Sequence, residues 1–291
     1  MITILFLSCA EAVVPPPAVV AANCPTWSAP KEVGELDDND LAEVSDLTAR
    51  PGGYWAHNDS GDTARFFALD EKGHHVGTID LAAPATAVDW EDMAVYTPAS
   101  GTRVLFLGDT GDNKFVRDHV TVYHLNEPDP ANATVAAVGV DYTYPDGARL
   151  NAEALLVDSR DGALYVASKS DEGVSHVFVD RTPLLPGPRV WEAVGTLQFG
   201  GAALPGSPKV TSGDLAADGT AVMLRTYESA YWWRIAPGQT VIDALSAPPC
   251  VVPAPEEKQG ESLVFLPDGG FATVSEGKKS ALWRATLAPG R

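Results

Sequence analysis

Short apolar runs rich in Val, Leu, Ala and aromatic residues recur along this chain, and Gly, Pro and Asx-rich punctuation separates them. The runs are strand-length, and no amphipathic helical period of comparable length lies between them. Five runs open in the same way, with small or polar residues, an acidic position, then apolar residues. They are Glu43-Val44-Ser45-Asp46-Leu47, Asp89-Trp90-Glu91-Asp92-Met93, Asn151-Ala152-Glu153-Ala154-Leu155, Thr211-Ser212-Gly213-Asp214-Leu215 and Gln259-Gly260-Glu261-Ser262-Leu263. Their starts at 43, 89, 151, 211 and 259 set a period that suits a four-stranded repeat and excludes a βαβ unit.

Within the first unit, residues 53–56, 65–69 and 75–79 read as the second, third and fourth strands. The second unit repeats this at 103–107, 120–124 and 138–144; later units show strands at 164–167, 176–179, 221–224, 231–235, 271–274 and 281–284. Asp161-Gly162, Asp218-Gly219 and Asp268-Gly269 fall between first and second strands, where a hairpin needs its turn. The last unit lacks a fourth strand, and the stretch around residues 27–33 is expected to supply it and close a ring. The predicted fold is therefore an all-β, five-bladed β-propeller with four strands per blade, occupying residues 27–291 as one domain. A sixth blade hidden around residues 183–210 is the alternative.

Charge narrows the partners. Thirty-nine acidic residues against twenty basic ones leave a formal net charge of −19, which repels nucleic acid and attracts cations. No apolar run in the sequence reaches the ~20 residues of a transmembrane helix. Residues 1–9 read as the end of a signal segment, in which Phe6-Leu7-Ser8-Cys9 matches a lipoprotein cleavage box loosely, making Cys9 the expected lipidation site. Residues 10–26 then form a Pro/Ala-rich tether. A secreted or outer-surface (periplasmic) lipoprotein is the expected localisation. In such an oxidising compartment Cys24 and Cys250 form an even pair, expected to staple the N-terminal segment to the last blade; two unpaired buried thiols are the alternative.

The chemistry should lie where the repeats converge. In a propeller, the openings of the innermost strands and the loops after the second strands emerge on one face, around the channel. A second repeat sits in those loops: Asn58-Asp59-Ser60-Gly61-Asp62 matches Gly108-Asp109-Thr110-Gly111-Asp112. Asp59, Asp62, Glu91, Asp92, Asp109, Asp112 and Asp214 are the expected metal ligands, and such hard oxygen donors without a Cys/His cluster select a divalent cation, above all Ca²⁺. Glu153 and Glu261 are the expected catalytic carboxylates, with Arg225, Lys169 and His57 as groups for holding a substrate. The structural alternative gives the same acids the work of capping backbone N–H groups and tying blades together.

The phrases Ala152-Glu153-Ala154-Leu155-Leu156-Val157-Asp158 and Gly260-Glu261-Ser262-Leu263-Val264-Phe265-Leu266-Pro267-Asp268-Gly269 resemble the strand openings of the secreted phytase-like and esterase-like propellers. That resemblance implies a calcium-assisted hydrolase of esters or phosphoesters, with Glu91, Glu153 and Glu261 at the matching positions and the carboxylate displaced at Asp46 and Asp214. Its clustered phosphate-binding Arg and Lys residues are sparse here. The expectation is a monomeric, extracytoplasmic propeller taking a small-molecule or protein ligand at its acidic face; a non-enzymatic protein- or glycan-binding scaffold is the alternative.

Overall fold

A computed structural model describes residues 24–288; Cys9 and residues 10–23 of the expected tether lie outside them. The chain starts with β1 (Lys31–Glu35) and then builds blade one from β2 (Val44–Arg50), β3 (Gly53–Asn58), β4 (Arg65–Asp70) and β5 (His75–Leu81). Blade two comprises β6 (Asp92–Tyr96), β7 (Val104–Asp109), β8 (Val120–Asn126) and, after the short β9 (Thr134–Val135), β10 (Val138–Thr143). Blade three is β11 (Ala152–Val157), β12 (Leu164–Ser168), β13 (Val174–Asp180) and, after β14 (Arg189–Val190), β15 (Glu192–Gln198). Blade four holds β16 (Val210–Leu215), β17 (Ala221–Thr226), β18 (Ala230–Arg234) and, past the one-turn helix α1 (Val241–Leu245), β19 (Cys250–Val252). Blade five is β20 (Val264–Phe265), β21 (Phe271–Thr273) and β22 (Ala281–Ala285), and β1 pairs antiparallel with β22 as its outer strand.

The ring closes through the innermost strands. β2 packs on β6, β6 on β11, β11 on β16, β16 on β20, and β20 returns to β2. Five apolar clusters fill the five wedges between neighbouring blades. Each inner strand feeds two of them, because successive side chains point to opposite faces. On β3, for example, Tyr54 and Ala56 pack toward blade five while Trp55 packs toward blade two. A strand buried on both faces favours apolar residues at successive positions, so second strands such as β7 (Val104-Leu105-Phe106-Leu107) and β12 (Leu164-Tyr165-Val166-Ala167) read as continuous runs.

The outer edges are protected locally. β9, on its way into blade two, adds parallel to β5 of blade one, and β14 adds likewise to β10. These additions cover N–H and C=O groups that an edge strand would otherwise expose. The region expected to hide a sixth blade is the edge segment β14 plus β15, so the blade count is five.

Cys24 and Cys250 form a disulfide, with Cα atoms 5.6 Å apart. Cys250 lies on β19, so the bridge fastens the N-terminal segment to blade four; the expected attachment to the last blade is corrected. The cause is geometric. The segment that completes blade five first passes its neighbour, bridging Trp27 to Leu287 and packing the Trp27 ring 6.2 Å from that of Trp232 on β18. Among the described residues no helix is long and apolar enough to cross a membrane.

Candidate functional site

The five strand openings are aligned by backbone bulges rather than by sequence alone. Register shifts leave Ser45, Glu153 and Thr211 unpaired as β2, β11 and β16 enter their sheets. Glu91 and Glu261 occupy the same place: their N–H groups bond to Gly108 and Val274, partners of the second strand. A bulge re-aims its side chain, which here turns Ser45, Glu91, Glu153 and Glu261 into the mouth of the channel. The register also moves blade four by two residues relative to the sequence alignment, so Thr211, not Gly213, matches Glu153.

The next residue of each blade forms a deeper layer: Asp46, Asp92, Ala154, Ser212 and Ser262. There the side chains tie blades together. Asp46 accepts the N–H of Met93 at 3.1 Å, Asp92 that of Leu155 at 2.7 Å, and Ser212 that of Leu263 at 3.1 Å. Ala154 has no acceptor to offer, and the Gly213 N–H reaches Asp92 instead, at 3.2 Å. Asp46 and Asp92 are each 1% exposed. Burial, and for Asp46 also the neighbouring Asp92 carboxylate, pushes both up, Asp92 to about 8, so this pair carries a proton at neutral pH. Asp92 therefore binds backbone N–H groups and is removed from the expected metal set.

The loop carboxylates divide in the same way. Asp62 accepts from Asn58 Nδ2 and the Thr63 N–H, both at 2.7 Å, and from Arg65 Nε at 2.8 Å. Asp112 accepts the Val116 and Arg117 N–H groups, each at 2.9 Å. Asp109 accepts the N–H groups of Val88 and Asp89 and an Arg117 guanidinium contact at 2.7 Å. These three acids build loops and are not free ligands. Asp214 leaves the site altogether: it accepts the Phe265 N–H at 2.7 Å and lines a cavity at the other mouth of the channel.

What remains is an acidic cavity of ≈ 140 Å³. Blade one contributes Asp59, blade two Glu91, blade three Glu153 and Lys169, blade four Tyr227, and blade five Gln259, Glu261 and Glu276. Asp59, Asp89 and Glu91 each offer an oxygen, and these atoms lie within 4.8 Å of one another. Glu91 is 2% exposed and its Oε1 has no hydrogen-bond partner. Gly111 opposes this cluster closely: a Cβ there would meet Glu91 Oε1 at 2.2 Å and Asp89 Oδ2 at 2.5 Å. The backbone thus makes room for two acids side by side. Burial and the surrounding carboxylates push Glu91 well above the usual range, and burial pushes Asp59 to about 7 and Glu261 to about 9. Three converging hard oxygens with one buried lone pair unmatched fit a cation such as Ca²⁺.

Lys169 is the basic group lining the cavity. Its Nζ sits 2.7 Å from Glu153 Oε2 and 4.9 Å from the centre of the Tyr227 ring. Burial opposes its charge, but Glu153 holds the ammonium well above the ordinary lysine range. Asn151 Nδ2 donates to the other Glu153 oxygen at 2.8 Å. The other two expected substrate-holding groups are elsewhere. Arg225 is fully buried, held by Glu257 and Thr273 beneath blade five, where it supports Gly260. His57 is also fully buried, edge-on to Trp90, and burial pushes it down to about 4, so it stays neutral.

Asp89, Tyr227, Asn113, Gln259 and Glu276 belong to the site without having been expected there. For Asp89 a signal existed: residues two apart on extended chain share a face, so Asp89 and Glu91 converge. For the others, the loop positions offered no chemical repeat.

No known family model matches the chain, and no curated protein matches it. Solved structures do. A structure described as glucose dehydrogenase shares 10% identity, covers 90% of this chain and 100% of its own, and superposes with a TM-score of 0.52. The PQQ-bound aldose sugar dehydrogenase from Streptomyces coelicolor shares 12% identity over 92% of this chain and 100% of its own, with a TM-score of 0.49. These neighbours are sugar dehydrogenases, not phytase-like or esterase-like enzymes. At such identity the likeness is one of fold: the chain is a five-bladed β-propeller.

Proposed function

We propose that this propeller is an extracytoplasmic protein that binds a divalent cation, Ca²⁺, through Asp59, Asp89 and Glu91, and hydrolyses an ester or phosphoester beside it. The observation that carries the reading is the buried, unpartnered Glu91 Oε1 facing two further carboxylates across the cleared space at Gly111. The cation would neutralise the cluster and polarise a substrate oxygen.

The chain's own residues divide the remaining work. Lys169 holds a negative substrate oxygen, kept charged and oriented by Glu153 and the Tyr227 ring. Glu261, protonated near neutral pH because it is buried, is suited to donate a proton to the leaving oxygen. Glu153 is a positioning residue for Lys169. The disulfide and the Cys9 motif support an oxidising, extracytoplasmic setting.

Hydrolysis of phenyl acetate and phenyl phosphate, whose poorer phenolate leaving group benefits from protonation, with Ca²⁺ and after chelation, tests this reading. Calcium-dependent turnover is expected, reduced roughly 100-fold in Glu261→Gln with folding retained, the range that a lost general acid commands. Calcium binding with no turnover on either class would leave a cation-stabilised binding scaffold instead.

A further inference from the structure

The opposite mouth of the channel carries a second cavity, larger than the acidic one and of different chemistry. Its volume is ≈ 430 Å³, within the range of small-molecule sites. Trp27, Leu215, Trp232, Val264 and Phe265 supply much of its apolar wall, and Asp214 lies among them where β16 ends. The aromatic corner is fixed rather than loose: Trp27 Nε1 donates to the Gly269 carbonyl at 3.2 Å, and its ring meets Trp232 edge-on. Asp214 is likewise held, by the Leu215 N–H at 2.8 Å and the Phe265 N–H at 2.7 Å.

Among the described residues, the charges free at this mouth have one sign to offer. Asp214 and Asp218 are the acids lining it; Asp218 is turned back onto Thr220, at 2.6 Å from its hydroxyl. The lining cation, Arg103, is already engaged by Glu127 at 2.7 Å and by the Ala49 carbonyl at 2.7 Å. Among the described residues, an apolar cavity with aromatic faces, a single oriented carboxylate and one lining cation engaged elsewhere is complementary to an apolar ammonium ion. Ring faces attract such an ion as well as the carboxylate does. An anion would meet Asp214 without compensation.

We propose that this cavity is a binding site for a small hydrophobic ammonium compound, seated with its charge toward Asp214 and its apolar body against Trp27, Trp232 and Phe265. The site is separate from the acidic mouth and does not depend on the function proposed for it.

The test uses the full chain at pH 8, following tryptophan fluorescence during titration with phenyltrimethylammonium and with its uncharged isostere tert-butylbenzene. Saturable quenching is expected for both, with the cation about ten-fold tighter, equivalent to about 1.4 kcal/mol. Asp214→Asn should cut that preference to the smaller part the rings supply, while leaving the uncharged probe unaffected. Ala216→Phe, which narrows the cavity and leaves Asp214 in place, should weaken both probes. Equal affinity for the two probes in the unaltered protein overturns the assignment. So does the absence of saturable binding to the full chain, which would mean that the cavity is filled by chain outside the described residues or takes no such ligand.

Discussion

Glu91 shows how a single buried atom can direct a functional reading. Most acids around this channel have assigned hydrogen-bond donors: Asp46, Asp92 and Asp112 accept backbone N–H groups, and Asp62 is clamped by Arg65. Glu91 Oε1 has none, although burying a polar atom without a partner costs about 1–3 kcal/mol. Gly111→Ala should therefore disturb the carboxylate cluster by contact alone and abolish any calcium-dependent rise in Tm, with little change in Tm without calcium. Lys169 provides the complementary case. Lys169→Met would leave Glu153 buried and uncompensated, a loss of about 3–5 kcal/mol for a buried pair deprived of one partner. Adding Glu153→Gln to that variant should restore much of the loss, and urea unfolding of the two variants would show whether it does.

At the level of strands, what the sequence discloses depends on how many faces each strand buries. Inner strands such as β3 and β12 are buried throughout, so their apolar runs and period announced the propeller. β15 is mostly solvent-facing, and its polar pattern left room for the idea of a sixth blade. Bulges are a backbone property with no residue signature of their own, which is why Gly213 could be aligned with Glu153 by sequence while the neighbouring Asp214 ends at the opposite mouth. The acid content of the site was legible; its division between cavity and turns was not, because nearby N–H groups decide it. For Arg225 the pattern misled for a related reason: its loop position matches the neighbourhood of Lys169, but it belongs to the strand itself, paired with Ser212. The disulfide joins elements 226 residues apart, and closing so long a loop restricts the unfolded chain. Cys250→Ser should cost about 2–5 kcal/mol in equilibrium unfolding, the usual range for a native disulfide.

Across the whole molecule, the raised carboxyl groups set an unusual pH dependence. Glu261, Asp92 and Asp214 are held by burial at about 9, 8 and 7, above their ordinary values. Between the ordinary carboxylate range and those values the folded chain binds more protons than the unfolded one, so stability falls as pH rises through that window. His57, pushed down to about 4, acts in the opposite sense: its contribution is present above the ordinary histidine range and is lost as pH falls toward 4. In chelator, thermal unfolding should therefore give a higher Tm at about pH 6 than at about pH 9. Asp214→Asn should narrow that difference. A chain of net charge −19 adds to the same trend, since self-repulsion grows as its acids ionise.

The acidic mouth is built around a cation bound by Asp59, Asp89 and Glu91 in the function proposed above, and calorimetric titration of Ca²⁺ into chelator-treated protein addresses that most directly. One saturable site is predicted, with proton release on binding, lost in Glu91→Gln although that variant remains folded. At a free calcium level about 100 times Kd, the native state should gain about 2.7 kcal/mol of stability. No heat beyond dilution from the unaltered protein, or a site that survives intact in Glu91→Gln, would contradict the account.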